Sequence, residues 1–268
     1  MAADPTSGLG TFLQNSTFVA LVEVCEAKGS TPREEGAWML VSPKAIFGTI
    51  GGGQLEFMAI AKARELIADN LANGALDIPL GPEIGQCCGG RVALDIRLLD
   101  QAARPALVER AAEEASTFPQ VILFGGGHVG HALASALTPL PVRVRVIETR
   151  KEAIEDFPDH VETRLTALPE EAVRDASAGT AFVILTHDHA LDFLLVAEAL
   201  ARDDAAYVGM IGSKTKRATF KSWYLKNGGD EHRFSKLVTP IGGNAVHDKR
   251  PAVIAAMAAA EILVALQS

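Results

Sequence analysis

The stretch Val121-Ile122-Leu123-Phe124-Gly125-Gly126-Gly127-His128-Val129-Gly130 decides the fold. Four apolar residues run straight into a G-x-G-x-x-G pattern, and His131-Ala132-Leu133-Ala134 carries it on with helical spacing. In a strand–turn–helix of this kind each glycine has its own reason. Gly125 permits the tight turn, Gly127 lets the backbone approach a pyrophosphate, and Gly130 lets helix and strand pack closely. The helix start adds unpaired N–H groups and a partial positive charge that favour a phosphate. A second strand ends at Val146-Ile147-Glu148, and Glu148 falls 21 residues after Gly127, near the roughly 20-residue spacing of a ribose-binding acid. Arg150, two residues on, fits either a 2′-phosphate contact or a solvated helix start. A glycine turn also persists where no nucleotide binds, so the pattern fixes the fold more firmly than the ligand.

Outward from this unit the alternation continues. Segments 142–147, 182–186 and 207–211 read as apolar strands, and 128–137, 191–201 and 213–225 as helices. Strands with near-continuous apolar runs, separated by helices, form a parallel sheet covered on both faces. The expected fold class is therefore α/β, with a C-terminal Rossmann-like doubly wound parallel sheet and a smaller N-terminal α+β domain. Residues 100–118, rich in Ala, Glu and Arg and stopped by Pro119, read as a helical connector. This sets the domains at 1–116 and 117–268. In the first, 18–25, 38–41, 45–50 and 92–98 read as strands and 55–71 as a helix. The closing run from Pro251 to Leu266 is almost wholly apolar; it is expected to be buried between domains or subunits, which predicts a homodimer.

Bulk properties exclude several classes. Twenty-five basic against 33 acidic residues leave a net charge of −8, a field that favours neither nucleic acid nor an anionic membrane. No run reaches the ~18 apolar residues of a membrane helix, and the first residues lack the basic start and apolar run of a secretory signal. Three cysteines, two of them adjacent, do not make a disulfide framework. A cytoplasmic protein is expected.

Four further places carry candidate chemistry. Thr186-His187-Asp188-His189 follows a strand, at the sheet edge where open α/β folds bind ligands. His187 and Asp188 suit a ligand contact or a metal, while Asp188 equally suits a helix cap. Ser213 caps the next helix, and Lys214, Lys216 and Arg217 form the densest basic cluster. Cations oppose the dipole at a helix start, which argues for an anion there, against the plainer reading of a solvated turn. Gly51-Gly52-Gly53 repeats the strand–turn–helix device; Gly52 and Gly53 are candidate anion contacts or simply a tight turn. Finally, Gly85-Gln86-Cys87-Cys88-Gly89-Gly90 places two thiols between glycines. Neighbouring Cα atoms, ~3.8 Å apart, lie closer than an unstrained disulfide prefers. Free thiolates suit a soft metal or a sulfur-transfer step; two buried small side chains are the alternative.

Taken in chain order, Gly29-Ser30-Thr31-Pro32-Arg33, Gly36-Ala37-Trp38-Met39, Gly48 to Gly53 with Leu55-Glu56, and Gly85 to Gly90 resemble the XdhC/CoxI family. Leu123 to Gly130, Thr186 to Asp192, Tyr207 to Arg217, Pro240-Ile241-Gly242 and Lys249-Arg250-Pro251 extend the resemblance over nearly the whole chain. Pro240-Ile241-Gly242-Gly243-Asn244 departs from members that continue Pro-Ile-Gly-Leu. The resemblance implies an accessory chaperone, not an enzyme, with the molybdenum cofactor (molybdopterin) as cargo. It also implies sulfuration of that cargo by a cysteine desulfurase and delivery to xanthine dehydrogenase. Cys87 and Cys88 become candidate molybdenum or sulfur contacts, and Gly125, Gly127, Gly130, Glu148, Gly52, Gly53, His187, Asp188, Ser213 and Lys214 candidate cofactor contacts. Two other readings remain. One is an NAD(P)-dependent oxidoreductase, for which only His187 and His189 offer acid–base chemistry nearby. The other is a ligand-sensing module without turnover.

Overall fold

The computed structural model describes residues 5–82, 85, 89–158 and 161–267. They form two compact units, 5–112 and 113–267.

The first unit opens with α1 (Pro5–Asn15), followed by strands β1 (Ala20–Lys28), β2 (Trp38–Val41) and β3 (Ile46–Gly48). Helix α2 (Gly53–Asp69) leads to β4 (Asn73–Pro79), β5 (Arg91–Leu98) and α3 (Arg104–Ser116). The five strands make an antiparallel sheet in the order β3-β2-β1-β5-β4. Alternation along β1 sends Ala20, Val22 and Val24 to one face, where they meet Leu55, Ala59, Ala63 and Leu66 of α2. Leu21 points to the other face, against Leu9 and Leu13 of α1 and Leu107 and Ala111 of α3. The expected strand at 18–25 starts later, because Phe18 is 59% exposed and has no sheet partner. The expected 45–50 strand is cut short at Gly48, whose φ of +78° turns the chain.

The second unit is the doubly wound α/β domain. Its strands are β6 (Gln120–Phe124), β7 (Arg143–Glu148), β8 (Glu162–Leu165), β9 (Ala181–Ile184), β10 (Tyr207–Met210) and β11 (Leu237–Val238). Its helices are α4 (His128–Leu137), α5 (Glu170–Arg174), α6 (His189–Ala201), α7 (Lys214–Lys226), α8 (Glu231–Ser235) and α9 (Pro251–Leu266). All six strands are parallel, in the order β11-β10-β9-β6-β7-β8. Numbered within the unit, the order is the 3-2-1-4-5-6 of dinucleotide-binding sheets.

The near-continuous apolar strands follow from two covered faces. Val121 and Leu123 of β6 join Leu133, Ala134 and Leu137 of α4 and Ala255, Ala258 and Ile262 of α9. Ile122 and Phe124 join Val173 of α5, Leu195 and Ala199 of α6, Phe220 of α7 and Phe234 of α8 on the opposite face. Helix α9 covers the first of these faces together with α4. Its buried side packs within its own unit against α4, while Ala252, Ala256, Ala260 and Val264 lie exposed. Thr239–Pro240 is a cis peptide after β11. Among the described residues, no helix is long and apolar enough to cross a membrane.

Candidate functional site

In an open α/β sheet the ligand crevice lies outside the carboxyl ends of the strands, where their order reverses. Here that point is between β6 and β9. Gly125 leaves β6 with φ +123°, and a Cβ on it would stand 2.4 Å from the Leu185 carbonyl oxygen just past β9. The two strand ends thus touch through glycine backbone. Gly130 has the same kind of necessity, since its Cβ would fall 2.1 Å from the Gly125 carbonyl oxygen. Gly127 is different. It precedes α4 at φ −76° and ψ −175° with no side-chain cap, and a Cβ there would meet nothing within 4 Å. First-turn amides of a helix have no intrahelical acceptor, so this is the open part of the cradle.

Glu148, at the end of β7, is 4% exposed. Its Oε2 accepts from the Gly126 amide at 2.8 Å and from Arg150 Nη2 at 3.0 Å. Its Oε1 accepts from the amides of Thr149 and Arg150 at 2.8 and 3.0 Å, and from Arg150 Nε at 3.3 Å. Burial alone would raise its pKa. The Arg150 guanidinium and the three amides outweigh that and pull the carboxyl down to about 2. Arg150, for which the sequence offered a 2′-phosphate contact or a solvated helix start, is the clamp on this acid.

At the ends of β9 and β10 the chain builds a second charged node. Asp188 caps α6, its side chain accepting from the Ala190 amide at 2.7 Å and the Leu191 amide at 3.4 Å. His187 and His189 are exposed, and among the described residues no group of three or more His, Cys, Asp or Glu is placed to hold a metal ion. Asp192, one turn into α6, is fully buried. It accepts from the Thr186 amide and hydroxyl at 3.0 and 2.7 Å and from the Lys216 ammonium. Lys216 also donates to the Ile211 carbonyl at 3.0 Å. Ser213 caps α7 by accepting from the Lys216 amide at 3.2 Å. Arg217 lies over the Phe234 ring and donates to the Leu237 carbonyl at 3.0 Å. Of the basic cluster, Lys214 stands exposed. The anion that the cluster called for is, for Lys216, Asp192 of the same unit. Reading the sequence missed Asp192, although a lone acid inside the apolar run Leu191-Asp192-Phe193-Leu194-Leu195 was a signal of a buried, partnered charge.

In the other unit, Gly52 and Gly53 begin α2 at φ +74° and +67°. Their turn is filled by the chain itself. Glu56 Oε2 accepts from the Thr49 hydroxyl at 2.5 Å and from the amides of Ile50 and Gly52 at 3.1 Å each. Cys87 and Cys88 lie outside the described residues. Nearby, Gly90 is glycine because a Cβ would stand 2.3 Å from the Ser30 carbonyl oxygen.

The sheet edge thus brings together Gly125, Gly127, Gly130, Glu148, His187, Asp188, Ser213 and Lys214 along the ends of four strands. At Gly127 that edge presents first-turn amides with no side-chain cap and open space beside them. Residues 121–262 match the family model described as the XdhC Rossmann domain, and residues 13–75 match that of the XdhC and CoxI family. The Escherichia coli K12 protein called uncharacterized protein YqeB is 27% identical over 260 residues, 93% of this chain. The chain spans only 44% of that relative's length. A Bacillus halodurans crystal structure described as a xanthine dehydrogenase superposes with a TM-score of 0.77, over 98% of this chain and 96% of that one. At 17% identity, that likeness speaks for the fold. Two family models in chain order, one of them over more than half of the residues, place this chain in the XdhC and CoxI family.

Proposed function

We propose that this chain is an accessory protein that carries the molybdenum cofactor for a xanthine-dehydrogenase-type enzyme. In this reading it holds the cofactor while a cysteine desulfurase sulfurates it, then passes it on in the cytoplasm. The observation that carries the reading is family membership together with the open cradle at Gly127. The cargo ends in a phosphate, and free amides at the start of a ten-residue helix favour such a group. Gly127 is the residue at which the backbone approaches it. Cys87 and Cys88 are proposed as soft donors toward molybdenum or as sulfur carriers. His187, Asp188, Ser213 and Lys214 are proposed to line the same edge, with Lys214 adding charge.

The test uses protein purified from a molybdate-replete host and assayed for molybdenum and oxidised pterin. Wild type is expected to retain both in about equal amounts. Gly127→Val is compatible with its backbone angles and open surroundings, so it should fold and lose at least ~10-fold of the cargo by blocking the amides. Cargo-free wild type, or undiminished cargo in Gly127→Val, would reject the reading. The strand order also favours a nicotinamide-dependent oxidoreductase, a reading that the next experiment addresses directly.

A further inference from the structure

In a dinucleotide-binding domain the adenosine ribose lies between the first half of the glycine turn and the acid that ends the second strand. Three observations show what fills that place here. Both oxygens of Glu148 are taken by Arg150 and by backbone amides, including that of Gly126. A Cβ on Gly126 would lie 2.1 Å from the Ala153 carbonyl oxygen and 3.2 Å from the Phe157 ring. Phe157 in turn stacks on His131 of α4, with centroids 3.7 Å apart and planes 14° from parallel. The segment from Arg150 to Phe157 therefore closes over the glycine turn from the β7 side.

Gly126 carries the argument furthest. It is absent from the positive-φ glycines, so backbone conformation does not demand glycine there. The demand comes from Ala153, a part of the same chain. One glycine later the situation reverses, and Gly127 faces open space. The turn thus has a half filled from within and a half left open.

We infer that Arg150 and the segment through Phe157 are specificity determinants that occupy the adenosine-ribose half of the crevice, so that this Rossmann domain rejects NAD(H) and other adenine dinucleotides. A ribose entering there meets a carboxylate whose acceptor sites are spent and a backbone carbonyl standing in its path. A guest must use the half beside Gly127 and the ends of β9 and β10. The inference rests on the proposed function only for the identity of that guest.

The test titrates NADH and ADP-ribose into the purified full chain by calorimetry. No saturable binding up to about 1 mM is expected. Saturable binding below that limit would overturn the inference, and Glu148→Gln then shows whether the bound ribose uses that acid. A second measurement reads the packing itself. Gly126→Ala should displace the segment, so that amides of 150–157 exchange with deuterium at least ~10-fold faster while the strands keep their protection. Unchanged exchange in a folded variant overturns the inference; if the variant does not fold, the wild-type titration decides. The two readings fail separately. Cargo retention lost with NADH still ignored removes the proposed function alone, and tight NADH binding through Glu148 with cargo retained removes this inference alone.

Discussion

The glycines of the 125–130 turn are glycines for different reasons, and single substitutions separate them. At Gly130 the obstacle is the Gly125 carbonyl, 2.1 Å from a would-be Cβ, and backbone cannot yield as a flexible side chain can. Gly130→Ala should therefore cost ~3 kcal/mol or more, at the upper end of overpacking costs. Gly127→Ala has ordinary angles and free space and should stay within about 1 kcal/mol; chemical denaturation of the two variants compares them directly. Glu148 gives the residue scale its pH signature. Its folded-state pKa is near 2 against an ordinary 4.5, so the stabilisation is present above the ordinary value. It is lost as pH falls from there through 2. A shift of this size corresponds to about 3 kcal/mol. Glu148→Gln should accordingly flatten the fall in stability across that acid window, and an unaltered slope would mean the clamp by Arg150 is not formed in solution.

At the scale of elements, the Asp192–Lys216 pair ties α6 and α7 to the ends of β9 and β10. Asp192 is wholly buried and the Lys216 side chain only 11% exposed. Breaking such a pair strands a charge, whereas replacing both members with apolar groups need not. Asp192→Asn should thus destabilise by ~3–5 kcal/mol, and adding Lys216→Met should recover most of it. Equal losses in the single and double variants would argue against the pair. These positions also mark the limit of what was legible. The β6–α4–β7 unit, its glycines and the spacing to Glu148 are local patterns, and the structure has them where they were expected. Glu162-Thr163-Arg164-Leu165 became β8 unannounced, because an exposed edge strand carries no apolar run. Strand β4 hid for a related reason: Gly74 and Pro79 weaken the strand signal, and an edge tolerates them. The site was half legible. Residue spacing revealed which groups line the sheet edge, but not that Ala153 would close on Gly126 or that Asp192 would neutralise Lys216 from 24 residues away. Those contacts are set by tertiary packing, which a linear pattern does not encode.

At the scale of the whole chain, the question is what folds by itself. Each unit has its own apolar clusters: two around the antiparallel sheet and two around the parallel one. Helix α3 decides where a cut is tolerated. Its buried residues Leu107 and Ala111 pack with Leu9, Leu13 and Leu21 of the first unit, while its last turn runs past the division at residue 112. A cut after Ser116 keeps the helix whole and leaves β6 intact from Gln120. Fragments 1–116 and 117–268 should therefore each unfold in a single cooperative transition, with dispersed amide spectra. A fragment ending at residue 100 lacks α3. It leaves Leu9, Leu21 and Leu40 without part of their cover, a loss of two buried side chains worth roughly 1.5–3 kcal/mol for the leucine alone. Against a total stability of ~5–15 kcal/mol, that fragment should melt lower and bind a hydrophobic dye. If 1–100 proved as stable as 1–116, the packing of α3 on Leu9, Leu13 and Leu21 would contribute nothing to the first core.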